Sequence, residues 1–326
     1  MVKKLGKKIV ADLKKRSEKS LDLAKQILQK ERIEDSTLSN ALKHYIKNWN
    51  DFTHPGFFSL ACEAVGGNPD DAVSAQAAIA MMAAAFDIHD DIIDKSKVKH
   101  KIPTVYGKFG TEVALLLGDA LLINGFKLFI ESAKALPREK EALETLKRLT
   151  FEVGNAHALE ISLKKRKSVS TDDFMKIIEM KAAAIELDMY AGALFGRAKD
   201  AEIELLANLG RIIGILVMLR EEFIDIFELE ELRQRISVHD FPAPLLFAIQ
   251  DSEVQGEVAK IISKSNITQN DVDKLVPLTL EAISVVKLKE NMQGLITEGL
   301  QLAKNLSNVT TQSKLQAILD FMLEDL

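Results

Sequence analysis

Four aspartates lie close together in the segment FDIHDDIID, residues 86–94. They are Asp87, Asp90, Asp91 and Asp94, and their spacing of three, four and seven residues predicts that they share one face of a helix. Carboxylates this close repel one another beside an apolar helix unless cations neutralise them. Mg²⁺ is commonly held between a few carboxylates and substrate phosphates. The segment therefore predicts a divalent-cation site, and a solvated acidic helix face is the alternative interpretation.

A second acidic segment, REEFID at residues 220–225, repeats this arrangement. It follows the apolar run 212–219, and Glu221 and Asp225 are one helical turn apart. Each segment is thus a long apolar helix followed by two acids, two apolar residues and a third acid. Two carboxylate clusters on facing helices can hold metal ions and a diphosphate between them, and this is the chemistry that we expect.

The elements that position these clusters are predicted to be helices. Apolar side chains recur with helical spacing, and no stretch alternates with period two for more than a few residues. Proline costs about 3 kcal/mol inside a helix, and none lies between Pro137 and Pro242. The predicted helical segments are 38–49, 72–93, 112–133, 140–163, 171–194, 201–227 and 272–306, the last starting late or kinked at Pro277. We expect an all-α protein with residues 1–326 in a single domain.

Composition narrows the function classes. The 326 residues are 47% hydrophobic, carry a formal net charge of −5 and include one cysteine, Cys62. These values exclude a disordered chain and a disulfide scaffold, and the acidic balance argues against a nucleic-acid partner. The longest weakly polar stretch, 72–86, is shorter than the roughly 20 residues of a membrane span. We therefore expect a cytoplasmic protein without a transmembrane segment, beginning with an amphipathic helix rich in lysine.

The sequence resembles the trans-isoprenyl diphosphate synthase (polyprenyl synthetase) family, because it contains several of that family's motifs in the same order along the chain. DDIID at 90–94 matches the first aspartate-rich motif of that family, DDxxD, and GDALL at 118–122 matches its GDaLL segment. AHALE at 156–160 stands where the family has GQxxD, and MKAA at 180–183 resembles its KTa segment. The matches cover roughly residues 55–250 and imply an isoprenoid synthase-type helical bundle.

The resemblance also implies an activity and its residues. It implies an enzyme that uses Mg²⁺ and acts on an allylic prenyl diphosphate. The implied catalytic residues are Asp90, Asp94 and Lys181. The implied metal ligands are Asp90, Asp91, Asp94, Glu221, Glu222 and Asp225. The implied substrate contacts are Lys99, His100, Lys181, Arg220 and Phe86, with Phe86 either forming the floor of the prenyl cavity or simply belonging to the core.

Four segments depart from the family pattern. The RRG that follows the first motif reads Lys99-His100-Lys101, and the lysine position of the later GKxTxP segment is Asp240. The second motif is DDxxD in the family and reads EEFID here. The basic GGKRxRP segment, which binds isopentenyl diphosphate, reads WNDFTHP at 49–55, where only His54 can carry a positive charge. The parts that hold the allylic diphosphate are thus largely kept, whereas the parts that hold the second substrate are largely lost.

Three functions are compatible with this uneven pattern. The first is an enzyme that transfers an allylic prenyl group, either to isopentenyl diphosphate or to another acceptor. The second is a terpene synthase-like enzyme that ionises a single prenyl diphosphate. The third is a non-catalytic subunit that regulates an active synthase. Family members usually dimerise, so the resemblance implies a homodimer, with a heteromer containing an active synthase as the alternative.

Overall fold

Helices account for almost all regular structure in the computed structural model, which describes residues 2–99, 101–164, 169–264 and 266–326. The first eight are α1 (Val2–Gln29), α2 (Ser36–Asn48), α3 (Thr53–Ala64), α4 (Val73–Ile93), α5 (Val105–Phe109), α6 (Thr111–Ala133), α7 (Glu139–Leu163) and α8 (Thr171–Lys181). The next eight are α9 (Ala183–Phe195), α10 (Asp200–Asp225), α11 (Leu229–Ser237), α12 (Ala243–Gln250), α13 (Gln255–Ile262), α14 (Gln269–Glu281), α15 (Ile283–Ala303) and α16 (Val309–Phe321). A 3₁₀ turn over Pro69–Ala72 precedes α4. A short antiparallel hairpin of β1 (Val98–Lys99) and β2 (Ile102–Pro103) follows α4. The predicted all-α class is confirmed.

The apolar helix α4 lies at the centre of the bundle, packed against α6, α1 and α3. Most of its alanines, including Ala77 and Ala84, are buried and let neighbouring helices approach closely. Gly125 of α6 lies so near that an added Cβ would be 2.6 Å from Cγ of Met82. This tight packing fixes the C-terminal end of α4, where the acidic residues begin.

Most of the predicted helical segments are confirmed. Helices α2, α4, α6, α7 and α10 begin and end within two residues of the predicted bounds. The predicted segment 171–194 is divided at Ala182, so that α8 ends at Lys181. The predicted interruption at Pro277 is wrong, because Pro277 lies inside α14 and the chain breaks at Ala282 instead, where ψ is 134°. The carboxylate of Asp251 accepts the backbone N–H of Ser284 at 3.2 Å, which caps the start of α15 and accounts for the break there.

Two segments are long and apolar enough, by length and composition alone, to cross a membrane: Pro69–Ile93 and Thr111–Ala133. Within the protein, 67% of the most apolar window of the first is buried, as in a core helix, but only 33% of the second. Helix α6 therefore presents an apolar side to its surroundings. Leu116, Ile123 and Ile130 on that side are 57%, 67% and 41% exposed.

Candidate active site

The end of α4 presents Asp90 and Asp94 toward α7. Asp90 Oδ1 lies 3.1 Å from Nδ1 of His157, and Asp94 Oδ1 lies 2.6 Å from Nζ of Lys164. Asp94 is the C-terminal cap residue of α4, and its own N–H donates to the carbonyl of Asp90 at 2.8 Å. A helix C-terminus carries partial negative charge, so carboxylates placed there require nearby cations, and α7 supplies them.

The β1–β2 hairpin folds back on α4 and brings Lys99 to the other two aspartates. Lys99 Nζ lies 2.8 Å from Asp87 Oδ1 and 2.8 Å from Asp91 Oδ1. The four aspartates of this helix face thus divide between two sets of partners. Residues four apart overlap best on a helix, so 87 and 91 form one pair while 90 and 94 form another.

Helices α7 and α8 contribute an ion pair beside Asp90. Lys181, the last residue of α8, places Nζ 2.6 Å from Glu160 Oε2. Glu160 Oε2 also lies 3.9 Å from His157 Nδ1, one turn earlier on α7. The division of the predicted helix at Ala182 is what leaves Lys181 at a helix end facing the acids.

The residues Asp90, His157 and Glu160 fit a divalent cation. Each offers one ligand atom, and these atoms lie within 4.8 Å of one another. Asp90 Oδ1 and His157 Nδ1 are buried, and neither makes a hydrogen bond of normal geometry. Buried polar atoms without such a bond are costly, and a bound cation would satisfy the oxygen. Carboxylate oxygens are the ligands that Mg²⁺ prefers, so Asp90 and Glu160, with Asp94 one turn away, are the residues that would hold it.

The protonation of the aspartates supports the same assignment. Burial raises the pKa of Asp90, but His157 and the charge on Lys181 outweigh it and lower the pKa to about 2. Burial raises the pKa of Asp91 to about 6 despite the opposing charge of Lys99. A carboxylate must be deprotonated to bind a metal, so Asp90 is the more strongly anionic ligand at neutral pH.

An apolar cavity of about 440 Å³ opens directly below these groups. Its apolar walls include Ile79, Met82, Phe86, Leu149, Val153, Ile178, Ile185, Val217 and Met218. Asp90, His157, Lys181 and Glu221 line its polar end. Phe86 forms part of the wall, but it is not the floor, because Met82 and Ile79 line the cavity one and two turns further along α4. From Asp90 to Ile79 the helix rises roughly 16 Å.

The second acidic segment is placed near the first, but its side chains have other partners. Glu221 lines the cavity. Glu222 and Asp225 both contact the guanidinium of Arg235 on α11, at 3.0 and 2.6 Å. Burial raises the pKa of Glu222, against the opposing charge of Arg235.

A buried ion pair lines the cavity where the basic family segment is lost. His54 Nδ1 lies 2.8 Å from Oδ2 of Asp188 on α9, and the Asp188 side chain is 1% exposed. Burial lowers the pKa of His54, but the carboxylate of Asp188 outweighs it and raises the pKa to about 9. Asp51 and Asp87 line the same part of the cavity, so this end carries more negative than positive charge.

The predicted substrate contact Arg220 does not line the cavity. Arg220 instead donates to the backbone carbonyls of Phe321, Met322 and Glu324 at 3.0, 3.0 and 2.8 Å. Its guanidinium also stacks on the ring of Phe321, 4.2 Å from the centroid. Arg220 thus anchors the C-terminal segment, and we leave it out of the proposed site. His100 lies outside the described residues.

Sequence reasoning missed several residues that complete the site. Neither His157 nor Lys164 was among the predicted site residues, yet both contact the first aspartate motif. Asp188 gave no signal, because it stands within an apolar helix, α9. Arg235 could have been found only as one of two arginines soon after the second motif.

Comparisons with known proteins identify the family of the chain. The chain matches the family model described as polyprenyl synthetase over residues 35–279. It is 27% identical over 306 residues to a short chain isoprenyl diphosphate synthase of Methanothermobacter thermautotrophicus, covering 90% of this chain and 91% of that protein. It is 26% identical over 275 residues to a geranylgeranyl diphosphate synthase of Methanosarcina mazei, covering 82% and 84%.

Solved structures share the fold across almost the whole chain. The geranylgeranyl pyrophosphate synthetase of Pyrococcus horikoshii superposes with a TM-score of 0.83 at 21% identity, covering 98% of each chain. The polyprenyl synthase of Caulobacter crescentus, complexed with calcium and isoprenyl diphosphate, superposes with a TM-score of 0.80 at 18% identity, covering 96% of this chain and 97% of that chain.

Proposed function

Since the chain belongs to the polyprenyl synthetase family, we propose that it is a Mg²⁺-dependent prenyltransferase that acts on an allylic prenyl diphosphate. One observation carries the proposal. The carboxylates of Asp90 and Glu160 and the ammonium of Lys181 meet at the polar end of a cavity whose walls are apolar. A diphosphate headgroup and a prenyl chain need this combination of groups.

Different residues act on the diphosphate headgroup and on the prenyl tail of the substrate. The allylic C–O bond breaks heterolytically, and the diphosphate leaves with the bonding electron pair. Lys181 lines the polar end of the cavity and stabilises this negative charge as it develops, and Lys99, paired with Asp87 and Asp91 at the same end of α4, adds to the positive charge there. When bound by Asp90, Asp94 and Glu160, Mg²⁺ supplies further neutralisation of the leaving group. The allylic cation is left in the apolar cavity, whose walls keep water from it.

Two candidate functions differ in the acceptor of the allylic cation. Relatives are named as synthases of prenyl diphosphates, which supports elongation with isopentenyl diphosphate as the first candidate. The end of the cavity lined by Asp51, Asp87 and the His54–Asp188 pair is poorly suited to a second diphosphate, because like charges repel. That observation favours, as the second candidate, an enzyme that ionises one diphosphate and passes the cation to a less anionic acceptor or cyclises it.

Product analysis tests the proposal. Purified protein is incubated with Mg²⁺ and geranyl, farnesyl or geranylgeranyl diphosphate, with and without isopentenyl diphosphate, and products are read by mass spectrometry. Longer diphosphates that form only with isopentenyl diphosphate support elongation. Alcohol or hydrocarbon formed without it supports the second candidate. Absence of turnover in every mixture contradicts both and assigns the chain to a non-catalytic subunit.

We also propose that two copies of the chain associate through the apolar side of α6. Leu116, Ile123 and Ile130 recur every seven residues and so lie along one side of that helix. Phe151 on the adjoining α7 is 74% exposed. A continuous apolar surface of this kind is characteristic of an interaction site, and a second copy of the chain would cover it with the same surface.

A cytoplasmic location stays a prediction.

A further inference from the structure

Arg235 is surrounded by the acids of the second motif. Its Nη1 lies 2.6 Å from Asp225 Oδ2 and 3.1 Å from Glu222 Oε1, and its Nη2 lies 3.0 Å from Glu222 Oε2. Its Nε donates to the backbone carbonyl of Asp240 at 3.2 Å. The Arg235 side chain is 11% exposed. Its planar guanidinium thus makes the forked contact with a carboxylate that arginine is suited to make.

The local fold holds Arg235 in this position. Helix α10 ends at Asp225, a short turn follows, and α11 runs back past the acids with Arg235 in its last turn. The backbone N–H of Asp240 donates to the carbonyl of Arg235 at 2.9 Å. His239 has a φ of 58°, the left-handed conformation that redirects the chain at this point. The helix before Arg235 and the hydrogen-bonded turn after it therefore both hold its guanidinium in place.

The oxygens of the second motif are already used as acceptors. Besides the guanidinium, Glu222 Oε2 accepts the backbone N–H of Ala243 at 2.8 Å, at the N-terminal end of α12. A helix N-terminus favours a carboxylate there. Mg²⁺ demands near-octahedral oxygen coordination, and a fixed guanidinium at 2.6 Å from Asp225 repels a second cation. A forked guanidinium that is itself anchored, together with the N–H of Ala243, thus engages Glu222 and Asp225, so these two acids do not fit a metal ion. Asp90 Oδ1, by contrast, makes no hydrogen bond of normal geometry.

We infer that Arg235 takes the place of a metal ion between Glu222 and Asp225, so that these two acids of the second motif contribute no metal ligand. The inference rests on the proposed Mg²⁺ site at the first motif, and it differs from the sequence prediction, in which Glu222 and Asp225 are metal ligands. An arginine is charged at every physiological pH, so Glu222 and Asp225 always have a counter-charge. The same contacts hold α10, α11 and α12 together.

Ion counting with Mn²⁺ tests the inference without any measurement of turnover. Free Mn²⁺ is followed by electron paramagnetic resonance during titration of the full chain, which gives the number of bound ions and their affinity. We expect Asp225→Asn to bind the same number of Mn²⁺ ions as the unmodified protein, with an affinity within twofold. We expect Asp90→Asn to weaken binding by at least tenfold. Loss of a bound ion, or a tenfold weaker affinity, in Asp225→Asn would overturn the inference.

A variant without the Arg235 guanidinium provides a second test in the same Mn²⁺ titration. Arg235→Gln is expected to gain one Mn²⁺ relative to the unmodified protein, whereas Arg233→Gln, on the same helix but paired with Glu230, gains none. A folded Arg235→Gln variant that binds no additional ion overturns the inference. Should this variant fail to fold, the Asp225→Asn result still decides. Absence of Mn²⁺ binding to the unmodified protein instead contradicts the proposed metal site at the first motif, so the two failures are distinguishable.

Discussion

The ammonium group of Lys164 lies 2.6 Å from the carboxylate of Asp94, seventy residues earlier in the chain. It also lies 3.3 Å from Asp240, which follows the second acidic motif. One lysine thus links the two ends of the acidic site. Together with Lys99 and Lys181 it neutralises carboxylates that would otherwise repel one another at the C-terminal end of α4.

Replacement of this lysine should strengthen cation binding. In Lys164→Gln, Asp94 loses an ammonium that a metal ion has to displace or tolerate, so we expect Mn²⁺ to bind about 3- to 10-fold more tightly. The titration followed by electron paramagnetic resonance measures this directly. Lys176→Gln, an exposed residue on α8, is the matched control and should leave the affinity unchanged. Equal or weaker Mn²⁺ binding in Lys164→Gln would mean that this lysine does not compete with the ion.

The relation between Lys164 and Asp94 also shows what the sequence could and could not predict. The apolar helix α4 and the acids at its end follow from spacing alone, because periodicity is a local property. The partner of Asp94 depends on how α7 packs against α4, which no local pattern encodes. The same reason explains the two arginines near the second motif. Arg220 precedes the acids but anchors the C-terminal segment, while Arg235 reaches them from the next helix.

Phe86 should influence which prenyl chain is accepted. Its ring narrows the upper part of the cavity, whereas Met82 and Ile79 line the space below it. Phe86→Ala removes the ring and is expected to raise kcat/KM for geranylgeranyl diphosphate relative to geranyl diphosphate by roughly tenfold. Phe86→Leu, which keeps most of the bulk, should shift the ratio less. Steady-state kinetics with the two substrates would contradict the cavity assignment if the ratio did not change in Phe86→Ala.

The His54–Asp188 pair should make stability depend on pH. The pKa of His54 is about 9 in the folded protein, above its ordinary value of 6.5, because of Asp188, with Asp51 and Asp87 also near. Its contribution is therefore fully present below about pH 6.5 and is lost as the pH rises through about 9. We expect the free energy of unfolding to fall by on the order of 2 kcal/mol across this interval.

Urea unfolding at a series of pH values measures this loss. Asp188→Asn removes the carboxylate that holds the proton on His54, so its stability should depend much less on pH in the same interval. The exposed substitution Asp22→Asn serves as the control and should follow the unmodified protein. A free energy of unfolding that stays constant or increases between these pH values in the unmodified protein is incompatible with a protonated buried His54.

Association of two copies should depend on the apolar side of α6. Ile123 is 67% exposed, so Ile123→Glu should leave the fold intact while placing a charge in the proposed interface. We expect light scattering after size-exclusion chromatography to give a dimer for the unmodified protein and a monomer for this variant. Val309→Glu replaces a residue of α16 that is 70% exposed and should remain dimeric. A monomeric unmodified protein at micromolar concentration would refute the proposed association.

Release of inorganic diphosphate is the most direct test of whether the protein cleaves an allylic prenyl diphosphate, because it reports cleavage of the allylic C–O bond whatever the acceptor. Farnesyl diphosphate is compared with its saturated 2,3-dihydro analogue, which cannot form an allylic cation, in the presence of Mg²⁺ and with or without isopentenyl diphosphate. We expect diphosphate to be released from farnesyl diphosphate and not from the saturated analogue. Release should be at least 100-fold slower in Asp90→Asn and unchanged in Asp22→Asn. No release under any condition, or equal release from the saturated analogue, would contradict the proposed function.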